Sequence, residues 1–187
     1  VRDCSPGTGG DLMIINETDI EGVVTIDLEP AIDDRGFFAR AFDTEKFGAL
    51  GMMSEVVHVN LTRNTHARTL RGLHFQAEPL PDPKIVRCVA GAIFDVAVDV
   101  RPGSATRGQW VGARLDAATG RAMHIPAGCA HGFLTLEPDT DVLYLMGADY
   151  EPNLARGYRW SDAGFGIEWP HTPAVVSDRD NSFADFA

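Results

Sequence analysis

The stretch Ile85-Val-Arg-Cys-Val-Ala-Gly-Ala-Ile-Phe-Asp-Val-Ala-Val-Asp-Val100 sets two runs rich in β-branched residues on either side of Ala90-Gly91. Two such runs split by a short glycine-bearing link read as the strands of a hairpin. Working outward, further strands are expected at Val23–Leu28, Gln109–Leu115, Ala122–Ile125, Gly132–Leu136 and Asp141–Met146. Turn formers separate them: Asp33-Asp-Arg-Gly36, Arg101-Pro-Gly-Ser104, Asp116-Ala-Ala-Thr-Gly120, Pro126-Ala-Gly128 and Glu137-Pro-Asp139. Short alternating strands at this spacing predict an all-β protein, an antiparallel sandwich or barrel. One short helix is expected at Thr44–Leu50, with Thr44 as its N-cap.

The chain has 187 residues, with 16 basic against 27 acidic side chains and a net charge of −11. That length suits one domain with a sizeable core. Residues 13–187 are expected to form it, behind a flexible leader over residues 1–12 that lacks the apolar middle of a signal peptide. The acidic balance excludes a general electrostatic grip on nucleic acid or on an anionic membrane, so an anionic ligand must meet a local cluster of arginines. No apolar run approaches the roughly 18 residues of a membrane span. Three cysteines, Cys4, Cys88 and Cys129, are an odd number without zinc-site spacing. That argues for a reducing cytoplasm rather than a disulfide framework.

Arg71-Gly-Leu-His74-Phe-Gln76 has an unusual composition for a strand. Strict alternation puts Gly72, His74 and Gln76 on one face and Leu73 and Phe75 on the other. Alone, His74 reads as a core histidine as readily as a functional one. A second segment shifts the balance: Gly120-Arg-Ala-Met-His-Ile-Pro126-Ala-Gly128-Cys-Ala-His131, spaced G-x5-P-x-G-x2-H, resembles the second sequence motif of the cupin β-barrels. Metal-binding cupins carry a His-x-His in their first motif, where this chain offers His74-Phe-Gln76. The Asn they carry four residues beyond the second-motif histidine is here Thr135. A stable transition-metal site wants three or four N, O or S ligands, so no metal and no cofactor are expected.

Other polar residues suggest acid/base work. Lys84 is one of only two lysines, the other being Lys46, and it opens an apolar strand behind Asp82 with proline on both sides. Tyr144 in Val142-Leu-Tyr-Leu-Met146 and the carboxylates of Ser177-Asp-Arg-Asp180 are weak signals singly, a core tyrosine and a solvated loop. Together with Arg35-Gly-Phe-Phe38, Asn60, Phe94-Asp-Val-Ala-Val-Asp99, Gly108-Gln-Trp110, Tyr150-Glu-Pro152 and Ile167-Glu-Trp-Pro170 they occur in one order. In that order, from about Met13 to Phe186, the chain resembles the dTDP-4-dehydrorhamnose 3,5-epimerase (RmlC) family of deoxysugar-nucleotide epimerases.

The resemblance implies a metal-independent, jelly-roll homodimer that inverts C3, C5 or both on a nucleoside-diphosphate 4-keto-6-deoxyhexose. By matched position, His74 is the base, Asp180 the carboxylate that holds it, Lys84 the cation near the C4 carbonyl oxygen and Tyr144 the acid on the opposite ring face. Arg71, Arg35, His131, Phe38, Asn60 and Gln76 fall at positions that help hold the sugar nucleotide. Two matched positions depart from the family. Arg40 stands where R-G-F-F-x-E carries Glu, and His58 where a Gln precedes the Asn. Both lie at the nucleotide end, so a CDP or GDP sugar stays open beside the dTDP sugar, which the resemblance puts first. The competing readings are a metal-dependent cupin enzyme, disfavoured by Gln76 and Thr135, and a non-catalytic sugar-nucleotide-binding barrel, disfavoured by the presence of His74, Lys84 and Tyr144.

Overall fold

A computed structural model describes residues 13–186; the expected leader, residues 1–12, lies outside them. The elements run β1 (Met13–Glu17), β2 (Val24–Leu28), β3 (Ala31–Asp33), β4 (Gly36–Phe38), α1 (Thr44–Ala49), β5 (His58–Asn64), β6 (Thr69–Gln76) and β7 (Lys84–Ala90). They continue as β8 (Ala92–Asp99), β9 (Trp110–Asp116), β10 (Ala122–Ile125), β11 (Cys129–Thr135), β12 (Thr140–Met146), β13 (Ala155–Gly157), β14 (Val175–Val176) and α2 (Asp178–Ser182). Two antiparallel sheets face each other, one in the order β1-β2-β10-β7-β12-β5, the other β13-β6-β11-β8-β9, with β14 added parallel to β6. This is the all-β antiparallel sandwich that the strand spacing predicts, in the jelly-roll form that the resemblance implies.

The expected hairpin at Ala90-Gly91 does not form. β7 pairs with β10 and β12 in the first sheet, while β8 pairs with β11 and β9 in the second. The single residue Gly91, at φ 72°, turns the chain over the corner of the sandwich, and a Cβ there would collide with Thr140 Oγ1. A short glycine link between two apolar runs serves a sheet-to-sheet corner as well as a hairpin, and burial of both strands selects the corner.

Between the sheets, Val86, Cys88, Ile93, Ala97, Leu115, Met123, Ile125, Cys129, Phe133 and Val142 form the lumen core. The residues of β7 on this face have even numbers, those of β8, β10 and β11 odd numbers, as period-2 alternation requires. The outer face of the second sheet packs Leu73, Val96, Val98 and Ala130 under Tyr158, Phe165, Trp169 and Phe186 from the C-terminal segment. That covering brings α2 against β6. The outer face of the first sheet is covered by Phe47 of α1 and by Met52 and Met53. The N-cap of α1 is Asp43, not Thr44: its side chain accepts the amide of Lys46, and Leu50 closes the helix as C-cap. Asp43 sits one residue earlier in extended geometry, as a cap must, whereas Thr44 is already the first residue of the helix.

Candidate active site

Strand β6 is irregular where it matters. His74 pairs with His131, but Arg71 pairs with Phe133, so three steps on β6 span two on β11. The additional residue is a β-bulge at Gly72-Leu73, and it reverses the alternation. Arg71 and His74, three residues apart, therefore share the lumen face that Phe133 and His131 also occupy, whereas strict alternation would have put Arg71 outside. Gly72 permits this: it has φ 136°, and a Cβ on it would lie 2.5 Å from the Cα of Gly132.

The same bulge is bound by α2. Asp180, 4% exposed, accepts from His74 Nε2 at 2.7 Å through Oδ1 and from the Gly72 amide at 3.2 Å through Oδ2. Ser177 caps α2 by accepting the Asp180 amide, so the segment 177–180 is a helix start and not a solvated loop. Burial would raise the Asp180 carboxyl, but the hydrogen bond and charge of His74, the Gly72 amide and Ser177 outweigh it and hold the group below its ordinary range. With the carboxylate on Nε2, the His74 proton resides there and Nδ1 is left as the basic nitrogen. Phe183 packs edge-on to the ring at 5.7 Å.

Opposite, on the first sheet, Lys84 and Tyr144 share the lumen face. Lys84 lies opposite Met146 and Ile125, and Tyr144 opposite Val86 and Asn60. Burial pushes the Tyr144 phenol well above its ordinary value; the Asp95 carboxylate adds to this, and the Thr62 hydroxyl and Arg71 guanidinium oppose it. His131 stands between the two walls, its ring 6.1 Å from that of Tyr144 and at a steep angle to it. Its Nε2 contacts Asp95 Oδ1 at 2.7 Å, and both residues are buried. Arg71 crosses from β6 to β5, where its Nε donates to Asn64 Oδ1 at 2.8 Å.

Register thus places His74, His131, Arg71, Lys84, Tyr144, Asn60 and His58 on inward faces, with Asp180 behind His74. His58 lies at the sheet edge, with Nε2 2.7 Å from Asp149 Oδ1. Gln76 differs from expectation. Its amide donates to the carbonyls of Leu80 and Asp149 and accepts the amide of Glu151, so both its N–H donors and one lone pair of its oxygen hold loops together. Arg35 and Phe38 also stand elsewhere, on the separate two-stranded sheet of β3 and β4, with Arg35 paired to Asp33 and Phe38 70% exposed. Arg40 pairs with Asp43 at 2.6 Å, beside the start of α1.

The residues at the two cupin metal positions do not form a donor set. Gln76 is engaged as described, and the Thr135 hydroxyl donates to His66 O and accepts the Thr69 amide. Among the described residues no three His, Cys, Asp or Glu side chains converge as a metal-ligand group. Cys88 and Cys129 are buried free thiols, pushed up to about 11 and about 12 by burial. Arg156, Arg179 and Tyr150 line a cavity of about 120 Å³ with His74 and Asp82. Only the fold brings together these residues, which are far apart in the chain.

Residues 17–187 match the sequence profile described as dTDP-4-dehydrorhamnose 3,5-epimerase. The chain belongs to that family. It is accordingly a sugar-nucleotide epimerase, of the isomerase class. The dTDP-4-dehydrorhamnose 3,5-epimerase of Sinorhizobium fredii is 42% identical to it over 177 residues, 94% of this chain and 91% of the relative. Among solved structures, the Bacillus anthracis epimerase with TDP and PPi bound superimposes with a TM-score of 0.89 at 36% identity, covering 93% of this chain and 99% of that one. The Legionella pneumophila epimerase in complex with dTDP-4-keto-L-rhamnose gives a TM-score of 0.86 at 35% identity, covering 92% of each chain. No helix of the described part of the epimerase is long and apolar enough to cross a membrane.

Proposed function

We propose that this epimerase inverts C3, C5 or both of a dTDP-linked 4-keto-6-deoxyhexose by proton abstraction next to the C4 ketone, without a metal. The observation that carries the reading is the placement of a carboxylate-held imidazole on one sheet across the lumen from a phenol and an ammonium on the other. His74 Nδ1 takes the proton from carbon. The C–H electrons pass into an enolate, whose oxygen is stabilised by the Lys84 ammonium. Tyr144 Oη–H then returns a proton to the opposite face of the same carbon, which inverts it. The raised phenol suits that duty, because it stays protonated until the enolate carbon draws the proton away. Arg71, oriented by Asn64, offers its terminal nitrogens to the diphosphate, while His131 and Asn60 border the sugar.

The protein acts as a homodimer in the cytoplasm. Ile32, Phe37 and Phe38 on the β3–β4 hairpin are 79%, 61% and 70% exposed, and Val59 and Leu61 of the edge strand β5 are also exposed. A second copy covers such a surface and caps an open edge. Arg35 and Phe38 meet a sugar nucleotide only if a second copy brings its lumen to them. Buried free thiols fit a reducing compartment.

The test is proton NMR in D₂O with dTDP-, CDP- and GDP-4-keto-6-deoxyglucose, with and without a chelator. The dTDP sugar should exchange at C3, C5 or both and yield a new epimer, unaffected by chelation. Preference for the CDP or GDP sugar would reassign the nucleotide to the surroundings of Arg40 and His58. No exchange with any of the three, or full loss with chelator, would overturn the reading. Sedimentation at micromolar concentration should give twice the chain mass.

A further inference from the structure

Lys84 sits where solvent scarcely reaches, its side chain 6% exposed. A buried ammonium needs a counter-charge, and Asp82 supplies it: Oδ2 lies 2.7 Å from Nζ, with the Asp82 side chain only 15% exposed. The other carboxylate oxygen, Oδ1, accepts the backbone amide of Gln76 at 2.8 Å. Gln76 lies two residues beyond His74 on the same strand, and its own side chain is fastened to Leu80, Asp149 and Glu151. Pro81 and Pro83 fix the backbone on either side of Asp82. One carboxylate therefore ties the ammonium of the first sheet to the β6 strand of the second.

We propose that Asp82 is the positioning residue of Lys84, setting where the ammonium meets the carbonyl oxygen relative to the His74 base. The proposal rests on the role given to Lys84 under the proposed function. A lysine stem has many rotamers, and fixing it before substrate arrives removes an ordering cost from the reacting complex. The benefit is realised as charge develops on oxygen, so it belongs to kcat more than to KM.

Asp82→Asn tests this with little change of shape. An amide has one acceptor where a carboxylate has two, so the Gln76 amide and Lys84 cannot both be served. We expect kcat to fall about ten- to a hundredfold while KM changes by less than about threefold. Asp82→Glu, which keeps the charge, should recover part of that loss. In a Lys84→Gln background, measured by slow deuterium uptake into the keto sugar, Asp82→Asn should change the residual rate less than about twofold. An equal loss in both backgrounds would make Asp82 a loop anchor and overturn the proposal, as would wild-type kcat in Asp82→Asn. Wild-type kcat in Lys84→Gln would overturn the role of Lys84 itself, a failure told apart by which variant stays active.

Discussion

Replacing Asp180 by Asn changes one atom and should remove most of the exchange chemistry. In the native site the two carboxylate oxygens serve two donors, His74 Nε2 at 2.7 Å and the Gly72 amide at 3.2 Å. An asparagine must turn its NH₂ toward one of them. Facing Gly72, it opposes a buried donor with a donor and leaves both unsatisfied, a cost of about 1–3 kcal/mol. The amide therefore turns its oxygen to Gly72 and its NH₂ to His74. That forces the ring proton onto Nδ1, the nitrogen proposed to act as base. Restoring the productive tautomer costs the same 1–3 kcal/mol, and losing the charged acceptor for the imidazolium costs about 1.5–3 kcal/mol more. The sum, about 2.5–6 kcal/mol, corresponds to roughly 10² to 10⁴ in rate. The assay is the initial rate of deuterium uptake from D₂O at the exchanging carbon of the keto sugar, with the melting curve recorded alongside. Exchange within tenfold of wild type, in a protein that melts normally, would refute the tautomer argument.

Tyr144→Phe should retain base-catalysed deuterium uptake while losing most inversion, read in one NMR time course; equal loss of both would place Tyr144 outside the second proton transfer. Gly72→Ala should cost at least about 2 kcal/mol in urea denaturation, since its Cβ would fall 2.5 Å from Gly132 Cα at a φ of 136°; a cost under about 0.5 kcal/mol would show that the bulge tolerates a side chain. His124 should make the fold sensitive to acid. Burial lowers its proton affinity, only partly offset by the Gly22 carbonyl, and the neutral ring accepts the Met53 amide at 3.0 Å. Its folded value lies below the unfolded one of about 6.5, so its contribution is complete above that pH and is lost as pH falls toward the folded value. Denaturation at several pH values should show a steeper decline below about 6.5 for wild type than for His124→Gln, and identical slopes would remove His124 from the account.

The strands were legible because alternation and turn residues are local properties. Ala122–Ile125 was placed to the residue, and β9 and β12 to within one position at each end. The sheet to which a strand belongs is not local, and Gly91 illustrates this: both a hairpin and a corner want a positive φ between apolar runs. The bulge at Gly72 escaped for a similar reason. Period-2 reasoning assumes one residue per step, and only the approach of Gly132 to Gly72 shows a step with two. Gln76 resembled a ligand because the surrounding motif did, yet its partners at Leu80, Asp149 and Glu151 lie in loops that the strand pattern does not bring near. Arg156 and Arg179, which line the small cavity beside His74, are singled out by no spacing rule from the other arginines.

Inversion at carbon needs a base and an acid on opposite sides of one ring, and the sandwich supplies that separation without special construction. Sheets of a sandwich pack about 10 Å apart with side chains from both walls filling the gap, so a ligand held between them meets groups from opposite walls on opposite faces. A base and an acid on neighbouring strands of one sheet would reach the same ring face and return the proton where it came from. Here the proposed base His74 is on β6 and the proposed acid Tyr144 on β12, in different sheets. What the sandwich does not supply is a cation beside the base on the wall that carries it. Alternation would send Arg71 outward if His74 faces in, and the Gly72-Leu73 bulge reverses one step so that both share the lumen-facing side. Asp180 then binds the bulge amide and the base together, so the irregularity that turns Arg71 inward also fixes the imidazole.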